Sequence, residues 1–256
     1  MMEPEALPPA PVPELPSEPP PAPPEREPFW GYLDVLMFTG LALPCVVLSF
    51  GLVRGTMWLL RLHAAVKTWE LLPEQAVLYA LLTGVLAAMF RLQYGRPFWR
   101  SLGWVPHRLP PLWPVILGMF TALMVNLIGL LIRVPNTENP MTELLKDRGS
   151  VILIAIFGVT VGPLCEELVF RGFLQPLMVR SFGVVGGILA ANIPFGLLHY
   201  QQYGNSWRHV VVITLAGAAF GCMRQATGST RASTLMHAAY NALFFFALFG
   251  TKGWGR

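Results

Sequence analysis

The stretch VILIAIFGVTVGPLCEELVFR, residues 151–171, decides how the chain is read. Val151 to Cys165 carry no charge, and then Glu166, Glu167 and Arg171 follow within seven residues. A helix needs about 20 mostly apolar residues to cross a hydrocarbon core about 30 Å thick, so a run of this kind is membrane material. An ionisable side chain inside hydrocarbon costs about 2.5–3.5 kcal/mol on insertion scales, so each one present requires a reason. On a helix Glu167 and Arg171 stand four apart on one face, where they can pair. Glu166 is rotated about 100° from Glu167 and points elsewhere. One acid is then neutralised structurally while the other stays open to chemistry. Pro163 is expected to kink the helix just before the acids. The plainer reading, a helix end where charges meet the interface, suits a single glutamate better than two acids with an arginine at this spacing.

The rest of the chain agrees with a membrane setting. Its 256 residues are 54% hydrophobic and only 12% charged, with a mean hydropathy of +0.53. A soluble domain carries about 25% charged residues, so this chain lacks the polar surface to cover itself in water. Apolar blocks fall at Trp30–Leu52, Glu74–Leu92, Leu112–Ile132, Val151–Phe170, Val184–Tyr200, His209–Met223 and Ala232–Phe249. The expected fold is an all-α, polytopic helical membrane bundle of seven transmembrane helices, or eight if the segment after Arg171 crosses separately. Its expected divisions are a disordered Pro/Glu-rich tail over 1–29, N-terminal transmembrane helices over 30–150, and a membrane core over 151–250.

The tail is a different material. Residues 1–28 hold half of the chain's 24 prolines, the six glutamates Glu3, Glu5, Glu14, Glu18, Glu25 and Glu27, and one basic residue, Arg26. Proline at this density favours extended, solvated backbone. Without a basic start or an apolar core, the segment does not read as a secretory signal peptide. The net charge of +4 does not point to nucleic acid, because the Lys and Arg residues sit between apolar blocks, where they meet lipid headgroups. Seven crossings would leave eight basic residues on one side and nine on the other, which does not set an orientation. The dense arginine segment Arg91–Arg108 leans toward a cytoplasmic N-terminus. Cys45, Cys165 and Cys222 show no paired or ligand spacing and read as small buried hydrophobes.

Two more apolar blocks contain residues that do not belong in lipid. In Asn192-Ile193-Pro194-Phe195-Gly196-Leu197-Leu198-His199, Phe195 and His199 share a helical face, as do Asn192 and Gly196. A polar stripe on such a helix faces the bundle interior or a wet cavity, although His199 alone would equally suit an interfacial helix end. In His237-Ala238-Ala239-Tyr240-Asn241, the histidine and asparagine are again four apart. Hydrogen-bonded helix packing is the plain alternative there. Gly217 and Gly221 form a small-xxx-small pattern that reads as close packing. His63, His107 and His209 lie in loops or at block ends and are given no chemistry.

Together the three elements resemble the CAAX-protease and bacteriocin-processing (CPBP, Rce1-like/Abi) family of membrane endopeptidases. Its motifs are Glu-Glu-x-x-x-Arg, Phe-x-x-x-His and His-x-x-x-Asn. Here they read Glu166-Glu167-x-x-x-Arg171, Phe195-x-x-x-His199 and His237-x-x-x-Asn241, in the family's order. The resemblance spans Val151 to Phe249 and implies a hydrolase acting on a peptide bond of a membrane-embedded or lipid-anchored peptide or protein. It implies Glu166 as general base for a water, assisted by His199. It further implies His237 and Asn241 as donors to the developing oxyanion, with Glu167 and Arg171 as structural support. The family has been described both as metalloproteases and as glutamate-dependent proteases. Glu166, His199 and His237 could supply two histidines and a carboxylate to zinc, although the compact His-Glu-x-x-His helix is absent. No tightly bound metal is expected. Cys165, in an apolar setting, makes a poor nucleophile.

The expected partners are a membrane substrate and the lipid bilayer, and the expected location is the plasma (inner) membrane of a prokaryote, with multiple spans. Two readings from other classes compete. A noncatalytic membrane scaffold or bacteriocin-immunity protein would tolerate loss of Glu166. A proton-coupled transporter would also place acids and histidines in its bundle, but no inverted repeat is visible.

Overall fold

The computed structural model describes residues 27–64, 66–135 and 138–251. The Pro/Glu-rich tail expected over 1–29 lies almost wholly outside the described residues. The described chain is helical: α1 (Tyr32–Leu59), α2 (Thr68–Tyr94), a short α3 (Phe98–Ser101), α4 (Leu112–Leu131), a short α5 (Pro140–Leu144), α6 (Arg148–Val159), α7 (Val161–Glu167), a π-helical stretch Leu168–Leu174, then α8 (Gln175–Leu198), α9 (Trp207–Thr227) and α10 (Thr230–Thr251). Helix α4 packs along α10, α8 along α9, and α1 along α2. The outer faces of these helices are apolar and open: Leu33 is 80% exposed, Trp58 82% and Leu92 81%. So large an uncovered apolar surface suits acyl chains rather than water. The protein is a multi-pass integral membrane protein.

Among the described residues, six helical stretches are long and apolar enough to cross a membrane. The sequence reading expects seven or eight. The difference arises because the blocks Val151–Phe170 and Val184–Tyr200 fall within one stretch, Arg148–Leu198, of 51 residues. That stretch is not one straight rod. Thr160 leaves the helical region at φ −119°, ψ −83°, and Gly183 leaves it at φ +70°, ψ 177°, a conformation open mainly to glycine.

The kink expected at Pro163 is a break three residues earlier, at Thr160. Proline has no N–H to give, and its ring opposes the carbonyl four residues back. A helix restarting at Val161 places Pro163 in its first turn, where backbone donors have no intrahelical partner in any case. Helix α6 begins at a defined cap: Asp147 accepts from the Ser150 N–H at 3.0 Å. The Ser150 side chain, and after it the Ser150 N–H, holds the Asp147 carboxyl below its usual range.

One end of the bundle is pinned by aromatic packing. Trp30 stacks on Phe90 and Phe173 and donates from Nε1 to the Phe173 carbonyl at 3.0 Å. Asp34 on α1 accepts from the Gly31 N–H and from Tyr94 Oη at the end of α2. The π-helical stretch is thereby clamped from outside. Its Gly172 lies so close to Leu102 that an added Cβ would come within 2.9 Å of the Leu102 carbonyl oxygen.

Candidate active site

The acids stand where α7 gives way to the π-helical stretch, a local widening of the helix that recurs at functional sites. Glu167 Oε1 lies 2.9 Å from Arg171 Nη1, and both side chains are fully buried. Arg171 Nη2 donates to Asn192 Oδ1 at 2.7 Å and to the Gly217 carbonyl at 2.9 Å. Its guanidinium lies over the Phe195 ring, 4.5 Å from the centroid. Arg171 thus ties the π-helical stretch to α8 and α9 in one grip. The approach to Gly217 is possible only because that residue lacks a side chain. A Cβ there would stand 2.6 Å from Asn192 Oδ1 and 2.8 Å from Arg171 Nη2. Gly217→Ala is expected to cost about 1–3 kcal/mol of stability, the usual range for overpacking. Thermal unfolding in detergent micelles measures it, and an unchanged midpoint would refute the tightness of this contact.

Glu166 points away from that grip, as its rotation predicts. It keeps 21% of its side-chain surface exposed. Its Oε1 accepts from Tyr79 Oη on α2 at 2.7 Å, and its Oε2 lies 3.8 Å from His237 Nε2. His237 on α10 makes its other contact through Nδ1, 3.0 Å from Glu167 Oε1. The ring also stacks on Phe220 at 4.5 Å between centroids. Both neighbouring acids therefore meet the same imidazole, one at each nitrogen.

His199 and Asn241 are held less directly. His199 Nδ1 is 2.8 Å from the Phe195 carbonyl of its own helix, leaving Nε2 uncommitted. Phe195 touches His199 at 5.0 Å and His237 at 6.0 Å between ring centroids, and so links the two histidines. Asn241 donates from Nδ2 to the Gly158 carbonyl on α6 at 2.7 Å. An amide nitrogen has two N–H groups, so one remains for a ligand. In the loop before α9, burial and the nearby Glu166 charge push the Tyr203 phenol up to about 12, so it keeps its proton at working pH.

Four contributors were not singled out as site residues in the sequence. Tyr79, Asn192, Gly217 and Gly158 each bond a motif residue. Asn192 and Gly217 were visible as a polar stripe and a small-residue pattern, but not as partners of Arg171. For Tyr79 the one signal is a hydroxyl in the middle of an apolar helix. Tyr79→Phe is expected to lower kcat about tenfold with little change in KM, about 1.4 kcal/mol of transition-state free energy for one lost hydrogen bond to a charged group. Steady-state kinetics decide it.

The three zinc candidates, Glu166, His199 and His237, are not gathered as a group of metal ligands among the described residues. The imidazole nitrogens and the carboxylate are of the right chemical kind for zinc.

Comparison with known proteins finds a likeness over part of the chain. Residues 148–243 match the family model described as type II CAAX prenyl endopeptidase Rce1-like. No curated protein and no solved structure matches the chain. The match takes in all three motifs, ends within α10, and begins after α2, which supplies Tyr79. From residue 148 to residue 243 the chain is therefore similar to Rce1-like membrane endopeptidases, a likeness that covers less than half of its 256 residues.

Proposed function

We propose that the protein hydrolyses a peptide bond of a membrane-embedded or lipid-anchored protein or peptide, with Glu166 as general base. The observation that carries this reading is the division of labour between adjacent acids. Glu167 is fully buried against Arg171, whereas Glu166 is partly open beside Tyr79 and His237. A water beside Glu166 gives up a proton to the carboxylate as its oxygen attacks the substrate carbonyl carbon. His199 has its Nδ1 proton held by the Phe195 carbonyl, so Nε2 accepts and assists the water.

The oxyanion forms against donors from α10. Asn241 offers its second N–H. His237, with Nδ1 against Glu167, presents Nε2 as a donor toward the oxyanion. Collapse of the tetrahedral intermediate breaks the C–N bond, and the proton on Glu166 passes to the leaving amine. Water is consumed, a carboxylic acid and an amine result, and Glu166 is returned as the carboxylate. Within the bilayer, Val151–Phe170 and Val184–Tyr200 cross as separate spans about the turn at Gly183, which gives seven crossings. The membrane is the plasma membrane of a prokaryote.

No step in this scheme passes through a metal. Purified, active protein is expected to lack stoichiometric zinc and to keep its activity in chelator. Elemental analysis showing one zinc per chain, with activity lost on chelation and restored by zinc, would overturn that part. The whole reading is tested by comparing peptides that accumulate in membranes of cells carrying wild type and Glu166→Gln. A membrane peptide that persists only with the variant is the expected result. Identical profiles, with the cellular phenotype intact, would favour a noncatalytic scaffold.

A further inference from the structure

A second cavity, of about 390 Å³, lies at the end of the bundle where α9 meets α10, and none of the four proposed reacting residues lines it. Its walls include Glu27, Ser101, Gln175, Arg180, Arg224 and Gln225. The two arginines are held by neutral groups. Arg224 Nε donates to Thr230 Oγ1 at 3.0 Å, and its guanidinium rests on Gly103, where an added Cβ would lie 2.9 Å from Cζ. Arg180 donates to the carbonyls of Pro28 and Trp30. Among the described residues, no carboxylate comes within ion-pair distance of either guanidinium. Two cations against the single carboxylate of Glu27 leave the partly enclosed cavity net positive, which favours an anion there.

A different atom narrows the choice. The Glu27 carboxylate in the same wall accepts hydrogen bonds and donates none, so it favours a donor beside the anion. The ligand therefore has two parts, an anionic oxygen cluster and a hydrogen-bond donor close beyond it. The depth of the cavity indicates where such a ligand comes from. Trp30 lines it, and Trp99 and Trp104, 5.5 Å apart, belong to the segment that Thr230 anchors through its N–H to the Gly103 carbonyl. Tryptophans mark the headgroup level of a membrane protein, and basic pockets between helices at that level bind lipid headgroups.

We propose that this cavity binds the headgroup of a phospholipid whose phosphodiester carries a terminal hydrogen-bond donor, such as ethanolamine or glycerol, with Arg180 and Arg224 on the phosphate and Glu27 on the donor. Full-length protein, stripped of lipid in detergent, is mixed with dioleoyl phosphatidylethanolamine, phosphatidylglycerol or phosphatidylcholine, or with inorganic phosphate. Lipid retention is read by native mass spectrometry, and stability by thermal unfolding. The ethanolamine and glycerol lipids should be retained and raise the midpoint, and phosphatidylcholine should not. In the Arg180→Gln/Arg224→Gln variant their retention should fall about tenfold, the usual weight of a charge-assisted phosphate contact. Arg148→Gln, at the start of α6, should behave as wild type.

Equal retention of phosphatidylcholine would overturn the proposal, as would equal stabilisation by inorganic phosphate, which would assign the site to a soluble anion. If Glu27→Gln lowers lipid-free stability as much as Arg224→Gln does, Glu27 is the counter-charge and the proposal falls. Should the double variant not fold, Arg224→Lys keeps the charge and loses the planar fork. Reduced retention there supports the site, and unchanged retention refutes it.

Discussion

Glu166→Gln will lower the rate of peptide cleavage by about 10²–10⁴-fold, the range for losing a positioned general base, while the protein inserts and unfolds as wild type does. The amide matches the carboxylate in shape, and its oxygen can still accept from Tyr79. It cannot take a proton from water. Because Glu166 is partly exposed and stands outside the buried ion pair, its neutralisation leaves no buried charge alone. Stability and activity should therefore separate cleanly. Single-turnover cleavage in reconstituted vesicles measures the first, and thermal unfolding the second. Cleavage at the wild-type rate by a folded variant would remove Glu166 from the chemistry.

The opposite separation is expected at the neighbouring pair. Arg171→Leu will destabilise the protein by about 3–5 kcal/mol, the range for breaking a buried ion pair from one side. Glu167, fully buried, would lose its counter-charge, and Asn192 and the Gly217 carbonyl would each lose their donor. Removing both charges, in Glu167→Leu/Arg171→Leu, should cost less than the sum of the single changes, with a coupling of about 0.5–3 kcal/mol. Activity should not return in the double variant, because the contact at His237 Nδ1 is lost with Glu167. Chemical unfolding in micelles gives the cycle, and simple additivity would show that the pair does not act as a unit.

The fold class was legible because apolar runs of membrane length leave few alternatives for the backbone. The pairing of Glu167 with Arg171 followed from helical spacing, and so did the outward turn of Glu166. Helix ends were less legible. The break at Thr160 is where proline's effect falls back along the chain, and the turn at Gly183 depends on a conformation that composition does not reveal. The partners of the motif residues were hidden for another reason. Tyr79 and Glu166 are 87 positions apart, and Asn241 and Gly158 are 83 apart. Their meeting is set by how helices pack, not by spacing along any one of them. Periodicity reports what shares a face, but it is silent on what that face will touch.

The π-helical stretch gives this domain a fixed length in a place where loops would tolerate change. Such a stretch is an α-helix holding a surplus residue within its turns. Excising one residue between Glu167 and Arg171 would let the surplus relax to α-helix and remove the widened turn beside the two acids. Arg171 would then meet Glu167 from three positions away instead of four, and its grip on Asn192 and the Gly217 carbonyl would have to be remade from that narrower turn. Homologous chains that keep the chemistry are therefore expected to conserve the number of residues between the acids and the arginine more strictly than their identities.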